Sequence, residues 1–171
     1  MNTGAPTAPE SLRSDHQLDE FDSGVPSLDQ WLKRRAQSNE AAGATRTFVT
    51  CLESRVVGYY SLAAASVIHS VATPRARRNM PDPAPAILLA RLAVDKAMQG
   101  KGLGGDLLQD AVLRVLGAAD VIGVRVLLVH ALSEDAKRFY LKFGFRESPI
   151  EPMTLMVTLE ELKREFGGLS V

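Results

Sequence analysis

The sequence predicts a mixed α/β fold in which helices cover both faces of a central sheet. Apolar segments with strand spacing alternate with segments whose apolar residues recur at helical spacing, and this alternation favours such a sheet. A glycine-rich turn, residues 99–104, joins the apolar segment 87–94 to the longest helical pattern, which extends to about residue 119. With 171 residues, of which 46% are hydrophobic, the chain is long enough to bury a sizeable core.

The N-terminal third predicts an arm, a helix and a hairpin. Residues 1–15 contain prolines and few apolar side chains, which predicts a flexible arm, and residues 16–171 are expected to form a single domain. A helix is expected from about residue 26, where Ser27 and Gln30 have the spacing of a capping box. Two strands with a short turn between them are expected next, over residues 45–52 and 56–65.

The remaining elements follow from apolar periodicity and from its interruption. Residues 71–86 hold four prolines and a cluster of arginines, which predicts a long irregular loop with concentrated positive charge. Beyond the glycine turn and its helix, we expect strands over 124–131 and 153–159 and helices over 133–143 and 160–166.

Composition excludes several classes of protein. The formal net charge is zero, so no global positive charge points to nucleic acid, although arginines can still cluster locally. The single cysteine, Cys51, rules out an internal disulfide, and its apolar neighbours favour a buried side chain over a reactive thiol. We find no signal-peptide pattern and no apolar run of ~20 residues, which predicts a cytoplasmic protein without membrane association. His69 and His130 lack metal-ligand spacing, so no metal site is expected.

The turn at residues 99–104 predicts a phosphate site. Backbone N–H groups left unpaired at a helix N-terminus converge on an anion, the helix dipole favours negative charge, and glycines allow close approach. Its spacing, Gln-x-x-Gly-x-Gly, differs from the dinucleotide fingerprint and from the P-loop. The residues expected to bind the phosphates are Gln99, Gly100, Lys101, Gly102, Leu103 and Gly104.

A second pattern lies in residues 130–145. Ser133 is placed to cap a helix and Gly144 to end it, and Ala136 and Tyr140 recur with Gly144 on one face of that helix. Taken alone, Tyr140 is better explained as a packed aromatic ring with a polar tip.

Together, the glycine turn and the pattern Ala-x-x-x-Tyr-x-x-x-Gly-Phe resemble the GNAT N-acetyltransferases, which hold acetyl-coenzyme A (acetyl-CoA). The resemblance implies the GNAT acyltransferase fold, a mixed but mostly antiparallel sheet with helices on both faces. It also implies that the Tyr140 hydroxyl protonates the leaving thiolate, and that the backbone at Leu92 and Val94 binds the acetyl and pantetheine groups. Ala93 and Ser133 complete the cofactor-binding residues that the resemblance implies.

The sequence offers no general base within the strand over residues 87–94, and Glu134 and Asp135 are explained as first-turn carboxylates of a helix. This absence suits an acceptor amine that is already largely neutral. An α-amino group has a pKa of about 7.7, against about 10.4 for a lysine side chain. The missing base therefore points away from a lysine acceptor.

Longer segments, from about residue 18 to 159, are similar to the GNAT toxins of bacterial type II toxin–antitoxin systems. The most specific is Arg-Arg-Asn-Met-Pro at residues 77–81, and others lie at 20–24, 28–32, 58–63, 128–131 and 152–156. This resemblance implies acetylation of the α-amino group of aminoacyl-tRNA, which blocks translation. It also implies a ribbon-helix-helix antitoxin as partner, a homodimer, and contact with operator DNA only through the antitoxin complex.

Basic side chains indicate where tRNA would bind, and the candidates are Lys33, Arg34, Arg77, Arg78, Arg91 and Arg138. Arg91 stands apart because a charge within a buried strand needs a partner or a function, whereas helix and loop arginines can simply be solvated. Two other functions stay open. One is acetylation of a small amine or a protein N-terminus, and the other is a non-catalytic, CoA-binding regulatory module.

Overall fold

The computed structural model describes residues 4–167, and within them it gives seven strands and six α-helices. The strands are β1 (Glu10–Ser11), β2 (Arg46–Leu52), β3 (Arg55–Val67), β4 (Ala84–Val94), β5 (Val126–His130), β6 (Arg146–Glu147) and β7 (Thr154–Thr158). The helices are α1 (Pro26–Arg34), α2 (Ala36–Ala42), α3 (Pro74–Arg77), α4 (Leu103–Ala118), α5 (Glu134–Lys142) and α6 (Leu159–Phe166). None of the helices in this part of the chain has the length and apolarity to cross a membrane.

The seven strands form one sheet in the order β1-β2-β3-β4-β5-β7-β6. β4 and β5 run parallel, with pairs from Ala86↔Val126 to Leu89↔Val129. The pairs β1–β2, β2–β3, β5–β7 and β6–β7 are antiparallel. The expected fold class, a mixed but mostly antiparallel sheet with helices, is therefore confirmed.

Of the described residues, one compact unit comprises 4–63 and 90–111. Its apolar core joins α1 to the sheet, and its buried members include Phe21, Trp31, Leu32, Val49, Val56, Tyr59 and Ala93. On α4, Leu107 packs so close to Gly58 that a Cβ there would lie 3.0 Å from its Cδ1 and 2.9 Å from Thr50 Cγ2. Glycine at residue 58 is thus required for the first turns of α4 to rest on β3.

The second compact unit comprises the described residues 64–89 and 112–167. Its core is a separate cluster of buried side chains from α3, β4, β5 and β7, among them Ala76, Ala84, Val126, Leu128 and Met156. Arg125 holds α3 by donating to the carbonyl of Ala76 at 3.3 Å and to that of Arg75 at 2.5 Å. The expected division into an arm over 1–15 and a single domain over 16–171 stays a prediction.

Part of the segment expected to be a flexible arm makes regular contacts with the sheet. Thr7 donates its N–H to the Cys51 carbonyl at 2.9 Å, and Glu10 pairs with Val49 through β1. The physical reason is that β2 has one open edge, whose backbone groups accept a further strand.

Three local expectations are corrected. Ser27 does not cap α1: the N-cap is Val25, without a side-chain hydrogen bond, because Pro26 occupies the first helical position with its φ already set for a helix. Residues 71–86 are not irregular throughout, since Thr73 caps the short α3 and β4 begins at Ala84. Helix α2 was not predicted, because its seven residues include only one buried side chain, Ala36, and so give no apolar periodicity.

Candidate active site

The segment between β4 and α4 forms a loop whose backbone is open to solvent; we call residues 99–104 the donor loop. Gly100 and Gly102 have φ of +77° and +86°, a region that strains other residues. A Cβ built on either glycine would meet nothing within 4 Å, so the space above the loop is clear. Leu103 and Gly104 then begin α4, whose 16 residues place their N-terminal N–H groups and dipole at the loop. These residues fit a phosphate group.

Lys101, between the two glycines, is exposed. Its ammonium group therefore adds a mobile positive charge to a site made of backbone dipoles. The structure thus brings the six residues predicted for phosphate binding into one loop and the first turn of a helix.

Gln99 differs from its neighbours because its side-chain donors are used within the protein. Nε2 donates to the carbonyls of Ser23 and Val94, both at 2.8 Å. Asp95 behaves similarly: its buried carboxylate accepts the N–H of Ala97 and the N–H of Asp22. Sequence reasoning missed Asp22, Ser23 and Asp95 as part of this region, since their partners lie more than 70 positions away along the chain.

Leu92, Ala93 and Val94 form the last part of β4, beyond the residues registered with β5, which end at Leu89. Ala93 is buried in the core with α1, whereas Leu92 and Val94 are only partly buried, as expected for the alternating faces of a strand. The Val94 carbonyl accepts from Gln99. The predicted role of the N–H groups of Leu92 and Val94 in holding an acetyl group stays a prediction.

Arg91 lies on β4, half-buried and stacked over an aromatic ring of α1. Its Cζ is 4.2 Å from the centroid of the Trp31 ring, and Trp31 in turn stacks on Tyr59 at 6.1 Å and 11°. Burial lowers the pKa of the Arg91 guanidinium from its ordinary value, although the group remains charged. Among residues 4–167, no carboxylate forms an ion pair with Arg91, so its charge is available to a ligand.

Tyr140 is buried on α5, where its ring packs edge-on against Phe139 at 5.1 Å and Phe145 at 5.4 Å. Only 6% of the residue is exposed, and burial raises the pKa of its phenol above the ordinary value, which keeps the hydroxyl protonated at neutral pH. The chain has three tyrosines. Tyr59 donates to the Leu28 carbonyl at 2.7 Å and Tyr60 to Asp110, whereas Tyr140 has no hydrogen-bond partner within residues 4–167.

Although it has no hydrogen-bond partner within residues 4–167, the Tyr140 hydroxyl oxygen is not fully buried. The only fully buried side-chain oxygen or nitrogen without a partner in the described part of the chain is Thr45 Oγ1. The phenol oxygen therefore retains access to the surface while its ring is held, which is the arrangement a proton donor to a bound ligand requires. Ser133, predicted to bind cofactor, caps the same helix by accepting the Ala136 N–H at 3.1 Å.

The basic side chains predicted for tRNA differ in how they are held. Lys33 and Arg34 lie exposed in the last turn of α1. Arg77 donates to the His69 carbonyl at 3.4 Å. Arg78 is exposed, and within the described residues its guanidinium makes no ion pair. Arg138 is paired with Asp135 at the surface of α5.

The sequence is similar to a known protein family and to a known toxin. A family model described as an acetyltransferase (GNAT) domain matches residues 43–147. A tRNA-acetylating toxin of Mycobacterium tuberculosis is 49% identical over 161 residues, which cover 94% of this chain and 97% of that one.

Solved structures are similar as well. AtaT complexed with acetyl-methionyl-tRNAfMet is 26% identical with a TM-score of 0.86, covering 95% of this chain and 99% of that one. An AtaT mutant bound to the C-terminus of the antitoxin AtaR and acetyl-CoA is 26% identical with a TM-score of 0.81, covering 92% and 96%.

Proposed function

The chain belongs to the GNAT acetyltransferase family, and we propose that it is a toxin that transfers the acetyl group of acetyl-CoA to the α-amino group of aminoacyl-tRNA. An acetylated α-amine cannot attack the next ester, so the modified tRNA blocks peptide-bond formation. The observation that carries the choice of acceptor is the 49% identity, across nearly the whole chain, to a tRNA-acetylating toxin.

The donor loop supports the assignment of acetyl-CoA as cosubstrate. Its two glycines with positive φ and the N-terminus of α4 suit a pyrophosphate group, and Lys101 adds a cation. Gln99 and Ser133 stay in the proposed cosubstrate site. The Gln99 side chain supports the loop, and Ser133 caps α5 by accepting an N–H, which leaves its own hydroxyl hydrogen to donate.

The proposed cosubstrate site continues along β4 through Leu92, Ala93 and Val94. The N–H groups of Leu92 and Val94 would stabilise the negative charge that develops on the acetyl oxygen.

Acetyl-CoA supplies the acetyl group as a thioester: the neutral amine forms the new C–N bond, and the C–S bond breaks. Tyr140 holds the proton that the departing sulfur takes up. Because burial raises its pKa, the phenol is protonated at neutral pH before the reaction. It gives its proton to the sulfur as the C–S bond breaks, and the phenolate is then reprotonated from solvent, which takes up the proton that the amine releases. The amine nitrogen loses its proton to solvent, and its pKa of about 7.7 makes a dedicated base unnecessary.

The basic residues would bind the acceptor end of the tRNA. We assign this role first to Arg91, and then to Lys33, Arg34, Arg77, Arg78 and Arg138. Arg91 is the strongest candidate for binding tRNA, because its charge is partly desolvated and it has no carboxylate partner in residues 4–167. Phosphodiester groups are the anions that such a guanidinium would pair with.

The proposed biological setting follows from the same family. We propose that the protein acts in the cytoplasm as a homodimer, that a ribbon-helix-helix antitoxin neutralises it, and that the pair contacts operator DNA through the antitoxin.

The function is tested by incubating the protein with labelled acetyl-CoA and three acceptors: a charged tRNA, the same tRNA uncharged, and a peptide with a free N-terminus and a lysine. The proposal predicts label on the charged tRNA alone. Label on the peptide would favour a small-amine or protein N-terminal acetyltransferase. CoA binding without label on any acceptor would favour a regulatory module.

A further inference from the structure

The segment that precedes α1 and the segment that follows β4 are joined by a set of polar side chains. We call these five residues the clasp: Asp22, Ser23, Asp29, Asp95 and Gln99. All of them lie in the first compact unit, and two of them, Asp29 and Asp95, are buried carboxylates. Buried carboxylates that make no ion pair are retained only where backbone or hydroxyl donors satisfy them.

Gln99 connects three parts of the chain through one amide group. Its Nε2 atom has two hydrogens, and the two acceptors are the carbonyl of Val94, which ends β4, and the carbonyl of Ser23, which precedes α1, each at 2.8 Å. With both hydrogens used, the side chain has no donor left for a phosphate. Its effect on a ligand is therefore exerted through the position of the loop that begins beside it.

Asp95 makes the second connection. One carboxylate oxygen accepts the Ala97 N–H at 2.9 Å and shapes the turn after β4, while the other accepts the Asp22 N–H at 3.0 Å. The Lys96 N–H returns to the Asp22 carbonyl at 2.8 Å. Two backbone segments are thus tied by reciprocal hydrogen bonds between positions 22 and 95–96.

Asp29 holds the other side of the clasp from within α1. Its carboxylate accepts the Ser23 N–H at 3.0 and 3.1 Å and the Ser23 hydroxyl at 2.6 Å. Gly24 follows with a φ of +91°, and a Cβ there would lie 3.2 Å from Lys96 Cε. The start of α1 is therefore fixed closely against the turn that leads into the donor loop.

We propose that Gln99 and Asp29 are positioning residues, and that the clasp fixes the backbone of the donor loop for acetyl-CoA. Glycines at residues 100 and 102 leave the loop free to adopt many conformations, so an ordered loop binds an anion with less loss of entropy. The affinity for acetyl-CoA then depends on residues at the beginning of α1, far from the loop in sequence. This inference rests on the proposed function only in taking the donor loop as the phosphate site.

The test measures CoA affinity by calorimetry in Gln99→Met and Asp29→Asn. The methionine is uncharged and of similar length but lacks both donors, and we expect a loss of about tenfold, the size of one or two net hydrogen bonds. Asp29→Asn removes a negative charge, so a purely electrostatic effect would strengthen anion binding. The clasp predicts the opposite, a loss of roughly threefold to tenfold.

Thr47→Val is the matched control, because it breaks the buried hydrogen bond between Thr47 and Ser61 in the same unit without touching the clasp. We expect its CoA affinity to stay within about twofold of wild type at a comparable loss of stability. In the double variant Gln99→Met/Asp29→Asn, the fold-loss of CoA affinity should be smaller than the product of the two single fold-losses, because both residues act on one hydrogen-bond network.

A second measurement separates this inference from the proposed function. Amide hydrogen exchange of the CoA-free protein should accelerate at Asp22 and Ala97 in Gln99→Met but not in Thr47→Val. Unchanged CoA affinity in Gln99→Met, or tighter binding in Asp29→Asn, would overturn the clasp while leaving the function intact. Wild-type protein that fails to bind CoA would overturn the proposed function, and the exchange data would still decide whether the clasp orders the loop.

Discussion

At the donor loop, two residues have no side chain, the Gln99 amide is used within the protein and the backbone faces solvent. At Tyr140, by contrast, the backbone is helical and one side-chain oxygen has no hydrogen-bond partner among residues 4–167. Gly100 and Gly102 present open N–H groups, and Gln99 uses its donors on two carbonyls of the protein. On α5, the ring of Tyr140 packs against two phenylalanines, and its hydroxyl oxygen is not fully buried.

Under the proposed function, the two regions are expected to control different kinetic quantities. A backbone site recognises a group that does not change during the reaction, so defects in it should weaken binding. In the proposed mechanism, the protonated Tyr140 hydroxyl interacts most strongly where charge develops on the leaving sulfur, so its loss should lower turnover. Substitutions in the two regions are therefore expected to separate cleanly into binding and turnover effects.

Tyr140→Phe should have the largest effect. The variant keeps the ring packing but removes the proposed proton donor, and we expect kcat to fall by about 10²–10⁴-fold with CoA affinity unchanged. Initial rates at saturating acetyl-CoA, with calorimetry for CoA, measure the two quantities. Tyr60→Phe is the matched control, because the Tyr60 hydroxyl is already bonded to Asp110 and its loss should leave kcat near wild type. A Tyr140→Phe variant with normal kcat would refute the proton-donor role.

Gly102→Ala should give the opposite pattern. At a φ of +86° an alanine is strained by roughly 1–2 kcal/mol, and its methyl group occupies the open space above the loop. We expect CoA affinity to fall about tenfold or more while kcat at saturation changes little. Gly117→Ala, in the same α4 but with no positive φ and no atom within 4 Å of its Cβ, should bind CoA normally. Equal effects of the two alanines would contradict the role given to the loop.

Much of both regions was predictable because their signals are local. Glycine spacing between a strand and a helix predicted the donor loop, and a capping serine, Ser133, with Gly144 after the last turn predicted α5. The clasp was not predictable, since Asp22 and Ser23 meet Asp95 and Gln99 across more than 70 positions of sequence. Only the packing of α1 against the turn after β4 brings these groups together.

The sequence also could not predict which of the basic residues lack a carboxylate partner. Sequence alone grouped Arg138 with Arg91 as cations for tRNA, but Arg138 has an Asp135 partner one turn away, whereas Arg91 stacks on the Trp31 ring and has no carboxylate partner in the described chain. Helical spacing explains the first pair, and the stack under Arg91 depends on α1 packing against β4.

Arg91→Gln tests whether this side chain binds the acceptor tRNA. We expect the apparent affinity for charged tRNA to fall roughly tenfold at low salt, and the slope of log affinity against log salt to decrease by about one, as for one lost phosphate contact. CoA affinity should not change. Arg164→Gln, whose arginine pairs with Glu160 on α6, is the control and should keep the wild-type slope. An unaltered slope in Arg91→Gln would show that the residue contacts no phosphate.

Cys51 gives the smallest expected effect. Burial raises the pKa of its thiol to about 11, so at pH 7.5 only roughly one thiol in three thousand is ionised, and ionisation increases as the pH rises. Iodoacetamide should therefore leave the native protein unlabelled at pH 7.5 and modify it readily once it is unfolded. Rapid labelling of the folded protein with loss of activity would place a reactive thiol at the site.

In the proposed function, the acceptor is the α-amine of an aminoacyl ester on tRNA, and Tyr140 serves its acetylation. The most direct test compares one tRNA charged with an amino acid and with the matching α-hydroxy acid, followed by nuclease digestion and mass measurement of the terminal adenosine ester. We predict one added acetyl group on the amino acid ester with wild-type protein, almost none with Tyr140→Phe, and none on the hydroxy acid ester. Acetylation of the hydroxy acid form, or of the nucleotides themselves, would contradict the α-amine as the acceptor.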